Sequence, residues 1–115
     1  MCGFVGFTNT IGEINCESIL DKMMNRIIHR GPDSSGKFLN KDIAIGFRRL
    51  SIIDISEGNQ PMFNENNSLV LVFNGEIYNY KYLRDELSYY GHIFKTDSDS
   101  ETLLHGYEQW KEHLV

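Results

Sequence analysis

The run Ser68-Leu69-Val70-Leu71-Val72-Phe73 constrains this chain more than any other stretch. It is continuously apolar rather than alternating, so the strand it predicts needs cover on both faces. It delivers Asn74-Gly75-Glu76 at its end, followed by Ile77-Tyr78-Asn79. Asn-Gly alone is a common hairpin turn. At the end of a buried strand, however, an Asn amide and a Gly N–H can both point at a ligand. An oxyanion needs that arrangement, two donors fixed before charge develops.

Around this run the chain alternates short strands and amphipathic helices. Residues Cys2 to Phe7 read as an apolar strand and Thr8 to Gly12 as a turn. Asn15 is placed to cap a helix, with Glu17 in its first turn. Ile19, Leu20, Met23, Met24, Ile27 and Ile28 fall on one face of that helix. His29-Arg30-Gly31-Pro32-Asp33 ends it, since Gly and Pro do not continue a helix. Gly36 to Leu39 and Asp42 to Phe47 alternate as strands around an Asn40-Lys41 turn. Ile43, Ile45 and Phe47 share one face there, and Ala44, Gly46 and Arg48 the other. Gly58-Asn59-Gln60-Pro61-Met62 is a loop leading into a short strand. A second helix is expected from Asn79 to Tyr90, stopped by Gly91 and anchored by Leu83 and Leu87. A short strand, His92-Ile93-Phe94, comes next. The third helix is capped within Asp97 to Ser100, where Ser98 and Glu101 have the spacing of a capping box. Leu103, Leu104, Tyr107, Trp110 and Leu114 form its expected buried stripe.

A chain of 115 residues with 41% hydrophobic and 23% charged residues fits one globular domain. A net charge of −5 without a basic run argues against a nucleic-acid surface. Cys2 and Cys16 are too few for a disulfide framework, although one bridge is allowed. A reducing compartment is the default for such a chain. No signal peptide or membrane-length apolar run is found, so the expected location is the cytoplasm.

Four places carry chemistry. Cys2 follows Met1 directly, and removal of Met1 would leave a thiol and a free α-amine on one residue. An α-amine has a reference pKa of roughly 7.7–8.0, so near neutral pH it can accept the thiol proton. From its position alone, Cys2 reads sooner as a small apolar residue of the first strand. The Arg48-Arg49 pair reads as a solvated strand end, or as one guanidinium turned inward to offer a fork to a small carboxylate. Asp99 reads as an acid in a first helical turn. His29 alone reads as a cap or surface residue, and no residue is assigned to a metal.

Taken together, Met1-Cys2-Gly3, His29 to Asp33, Arg49-Leu50-Ser51-Ile52-Ile53-Asp54, Gly58-Asn59-Gln60-Pro61, Asn74 to Asn79 and Ser98-Asp99-Ser100-Glu101 resemble the class II glutamine amidotransferases. The resemblance is nearest to the glutaminase domain of glutamine-hydrolysing asparagine synthetases and runs from end to end in the family's order. It implies an α+β fold of the N-terminal nucleophile hydrolase type, a four-layer αββα sandwich of antiparallel sheets. Residues 1–115 would be the N-terminal portion of that domain, incomplete at the C-terminus and without the synthetase domain.

The resemblance also implies roles. Cys2 would attack the glutamine side-chain amide, and Asn74 with the Gly75 N–H would hold the oxyanion. Arg49 would pair with the α-carboxylate, Asp99 and Glu76 would face the α-ammonium, and backbone groups near Ile53 would complete the pocket. The implied partners are L-glutamine, a synthetase domain or subunit that takes up ammonia, and a second copy of the chain in a homodimer. No cofactor is implied here, whereas ATP and Mg belong to the synthetase half. The alternatives are a non-catalytic glutamine-binding or interaction module, or an amidotransferase with another ammonia acceptor such as a sugar. Phe47 departs from the pattern, standing where the family commonly has a histidine.

Overall fold

The computed structural model describes residues 2–10, 12, 15–50 and 59–114. It is an α+β chain with two antiparallel sheets, as the resemblance implies. The described residues fall into two compact units. One runs to Leu50 and includes Asn59–Pro61 and Val72–Asn74; the other comprises Met62–Leu71 and the residues from Gly75 onward.

In the first unit, β1 (Gly3–Thr8), β2 (Ser34–Leu39) and β3 (Ile43–Arg49) form an antiparallel sheet in the order β1-β3-β2. Asn40 makes the β2–β3 turn tight, because its Oδ1 accepts from the Asp42 and Ile43 N–H groups at 2.8 Å each. The register places Val5 and Phe7 of β1 opposite Gly46 and Ala44, and Leu39 of β2 also opposite Ala44. That face packs on helix α1 (Cys16–Arg26), where Leu20, Met24 and Ala44 form the buried core. Asn15 caps α1 as expected, its side chain accepting from Ser18 N at 3.1 Å. Lys37 lies on the same face and reaches Glu17 and Asp21 of α1 at 2.7 and 3.1 Å.

The apolar face of α1 is narrower than its periodicity suggested. The helix ends at Arg26, and Ile27 N bonds Met24 O in the tighter three-residue pattern. A 3₁₀ turn, Ile28–Arg30, follows, so Ile28 turns outward and is 47% exposed. Arg48 donates to Met24 O and Asn25 Oδ1 at this helix end, a favourable place for a cation.

In the second unit, β4 (Met62–Phe63) and β5 (Val70–Leu71) form a short antiparallel pair. Helix α2 (Tyr80–Tyr89) buries Leu87 and half-buries Leu83, and Gly91 follows it with φ +97, a conformation that glycine adopts without steric cost. Helix α3 (Asp99–Trp110) completes the unit.

Four expectations are corrected here. The apolar run yields a strand over Val70–Leu71 alone, and Leu69 to Phe73 are half-buried rather than covered on both faces. The reason is local: the Gln60 carboxamide occupies the backbone of Phe73. Its Nε2 donates to Phe73 O at 3.0 Å and its Oε1 accepts from Phe73 N, so a side chain stands where a strand would pair.

His92-Ile93-Phe94 is not a strand. The groups around it are claimed by side chains, since the Glu101 carboxylate accepts from Lys95 N, Thr96 N and Thr96 Oγ1 at 2.7 Å each. Burial raises the Glu101 pKa, but those bonds and His105 outweigh it and hold the carboxyl below its usual range. Glu101 therefore does not close the expected capping box, and Ser98 caps α3 by accepting from Ser100 N at 3.2 Å.

The buried face of α3 is also different from the expected stripe. Ser100, Glu101, Thr102, Leu104, His105 and Gly106 are buried, whereas Tyr107 is 43% exposed. Leu103, Leu104, Tyr107 and Leu114 instead line an apolar cavity of about 300 Å³ with Leu69, Val70 and Leu71.

Candidate active site

Cys2 lies immediately before β1, with a half-buried side chain whose Sγ is 3.9 Å from Leu50 O. Its own carbonyl is held twice, by Asn74 Nδ2 at 3.0 Å and by Arg30 Nε at 3.2 Å. The predicted nucleophile and the predicted oxyanion donor are thus brought together, 72 residues apart in sequence. Both cysteines are free thiols.

Asn74 is placed by a sequence of contacts running back to β2. A Cβ on Gly36 would fall on the Gln60 carbonyl oxygen, so only glycine lets the Gln60-Pro61 segment lie against this strand. Gln60 then grips both backbone groups of Phe73, the residue before Asn74. Arg30, Gly36 and Gln60 are thus positioning residues to which sequence reasoning assigned no role. Arg30 and Gln60 do fall inside the matched segments His29 to Asp33 and Gly58 to Pro61, and that was the available signal.

Of the arginine pair, Arg48 is held at the end of α1. Alternation along β3 sends Arg49 to the opposite face, where its Nη1 donates to Asn59 Oδ1 at 3.3 Å. Phe47 shares that face and is 3% exposed, a packed apolar side chain where the family pattern has an imidazole.

The second unit carries the predicted anionic set. Gly75, Glu76, Ile77, Tyr78, Tyr80, Asp97, Ser98 and Asp99 line an open cavity of about 450 Å³. Asp99 sits in the first turn of α3, where the helix dipole favours a carboxylate, and its Oδ2 accepts from Ile77 N at 2.9 Å. Glu76 and Asp99 therefore share one cavity wall system with the Gly75 backbone. Cys2, Asn74 and Arg49 belong to the first unit, and Gly75, Glu76 and Asp99 to the second. Ile53 lies outside the described residues.

The model of the glutamine amidotransferase domain family matches residues 1–115, and the chain belongs to that family. Among relatives, it is 50% identical over 118 residues to asparagine synthetase [glutamine-hydrolyzing] 1 of Bacillus subtilis (strain 168), covering 100% of this chain and 19% of that protein. It is 43% identical over 112 residues to asparagine synthetase [glutamine-hydrolyzing] 2 of the same organism, covering 95% of this chain and 15% of the relative. An Arabidopsis thaliana asparagine synthetase [glutamine-hydrolyzing] 2 is 38% identical over 116 residues, covering 100% of this chain and 20% of the relative. The chain thus spans about a fifth of the length of these relatives. Among the described residues, no helix is long and apolar enough to cross a membrane.

Proposed function

We propose that this chain carries the glutamine-hydrolysing chemistry of an amidotransferase. The observation that carries the reading is the hydrogen bond from Asn74 Nδ2 to the Cys2 carbonyl, which brings a neutral donor to the residue bearing the thiol. With Met1 removed, the Cys2 α-amine takes the thiol proton, and the thiolate attacks the side-chain amide carbon of glutamine. The negative charge that develops on the amide oxygen is met by Asn74 Nδ2 and Gly75 N–H. Collapse of this intermediate breaks the C–N bond, and the protonated amine of Cys2 returns its proton to the departing nitrogen, which leaves as ammonia. A thioester to Cys2 Sγ remains. Water, deprotonated by the same amine, attacks it and releases glutamate and the thiol.

Recognition follows from the charges of a free amino acid. Arg49 offers a planar fork to the α-carboxylate, while Asp99 and Glu76 offer anions to the α-ammonium. The resemblance adds backbone groups near Ile53 to the residues proposed to recognise glutamine. The relatives' names point to asparagine synthesis as the use of the ammonia, and the resemblance adds a synthetase domain that would act on aspartate with ATP and Mg. Replacing Cys2 by Ala tests the reading directly. Ammonia release from glutamine is expected to vanish in Cys2→Ala, and glutamine binding without turnover in the parent protein would favour a binding module instead.

A further inference from the structure

The second unit contains a cluster that the glutamine chemistry does not use. His105 of α3 is 2% exposed, and its Nδ1 lies 2.9 Å from Glu108 Oε2 and 3.3 Å from His92 Nδ1. His92 Nδ1 lies 3.4 Å from the same Glu108 oxygen. In a tetrahedral site with bonds of about 2.0–2.1 Å, ligand atoms sit roughly 3.3–3.4 Å apart. Three donor atoms therefore already form a triangle close to one face of such a tetrahedron. Glu65 Oε1 lies beside the cluster, 3.7 Å from His105 Nδ1.

The outward atoms of the same side chains are also held. His92 Nε2 is 3.1 Å from Gln109 Oε1, and His105 Nε2 is 3.5 Å from Glu101 Oε1. These acceptors favour protons on both Nε2 atoms, which leaves both Nδ1 lone pairs turned inward. Asn64 Nδ2, itself in a buried residue, donates to the other Glu108 oxygen at 2.6 Å. Metal-binding histidines and carboxylates are oriented by such outer partners.

We propose that His92, His105 and Glu108, with a water as fourth ligand, bind a zinc ion that fastens α3 to the segment after α2. Two imidazoles and a carboxylate suit zinc better than magnesium, which takes oxygen ligands and keeps its water. Sequence spacing gave no warning, because the histidines are brought together by the turn after α2 and by Glu101's hold on residues 95 and 96.

The test is calorimetry and native mass spectrometry of chelator-stripped protein with zinc chloride. A Cys2→Ala/Cys16→Ala background removes the thiols as competing ligands. One zinc per chain is expected, with no response to magnesium and a rise in the unfolding midpoint. His92→Ala and Glu108→Gln, each checked for retained fold by circular dichroism, should each bind zinc at least tenfold more weakly. A folded parent that takes up no zinc would overturn the proposal, leaving a proton on His105 Nδ1 shared with Glu108 and His92. Binding that stays unchanged in both variants would do the same.

Discussion

Asn74 owes its position to Gln60, whose carboxamide holds the Phe73 backbone from 13 residues away. Gln60→Ala leaves two half-buried backbone groups without those partners, which costs about 1–3 kcal/mol. Chemical denaturation should read that loss, together with a fall in glutamine turnover as Asn74 drifts. Asn74→Ala separates chemistry from stability. It removes the donor proposed to act on the developing oxyanion, so kcat should fall by about 10²–10³ with KM changed far less. An unchanged kcat would remove Asn74 from the mechanism. Thr102 presents the opposite case: its buried Oγ1 finds no hydrogen-bond partner among the described residues. Leaving such a hydroxyl unpaired is unfavourable, so Thr102→Val should raise stability by about 1 kcal/mol in a thermal or denaturant melt.

At the scale of elements, what was legible depended on whether local signals decided the outcome. The three helices were readable because Asn15, Gly91 and Ser98 act on their own neighbours through caps and turns. The β2–β3 hairpin was readable because Asn40 folds its own turn and alternation does the rest. The failures share a different cause, a side chain outside the element that captures backbone. Gln60 shortens the expected long strand, and Glu101 takes the donors of Lys95 and Thr96. Periodicity carries no information about either contact. The same holds for α3, where a polar set around His105 is buried in place of the apolar stripe. Of the candidate site, the proposed residues came from the matched segments, whereas the Gly36–Gln60–Phe73 contacts that aim Asn74 were not legible. The choice of Arg49 over Arg48 came with the resemblance; Arg48 itself is held at the end of α1.

For the whole molecule, the first unit holds Cys2, Asn74 and Arg49, proposed as nucleophile, side-chain oxyanion donor and carboxylate-binding arginine. The second holds the anions proposed to read an α-ammonium and the candidate zinc cluster. Asn74 and Gly75, the two proposed oxyanion donors, are consecutive residues. The central claim is that Cys2 is a glutamine-directed nucleophile with its own amine as base. The most direct measurement is intact and peptide-level mass spectrometry before and after exposure to an electrophilic glutamine analogue. The account predicts loss of Met1 and a single adduct mapped to Cys2, suppressed by excess glutamine, with Cys16 unmodified. A Met-free protein that acquires no adduct, or one labelled equally at Cys16 and indifferent to glutamine, would contradict it.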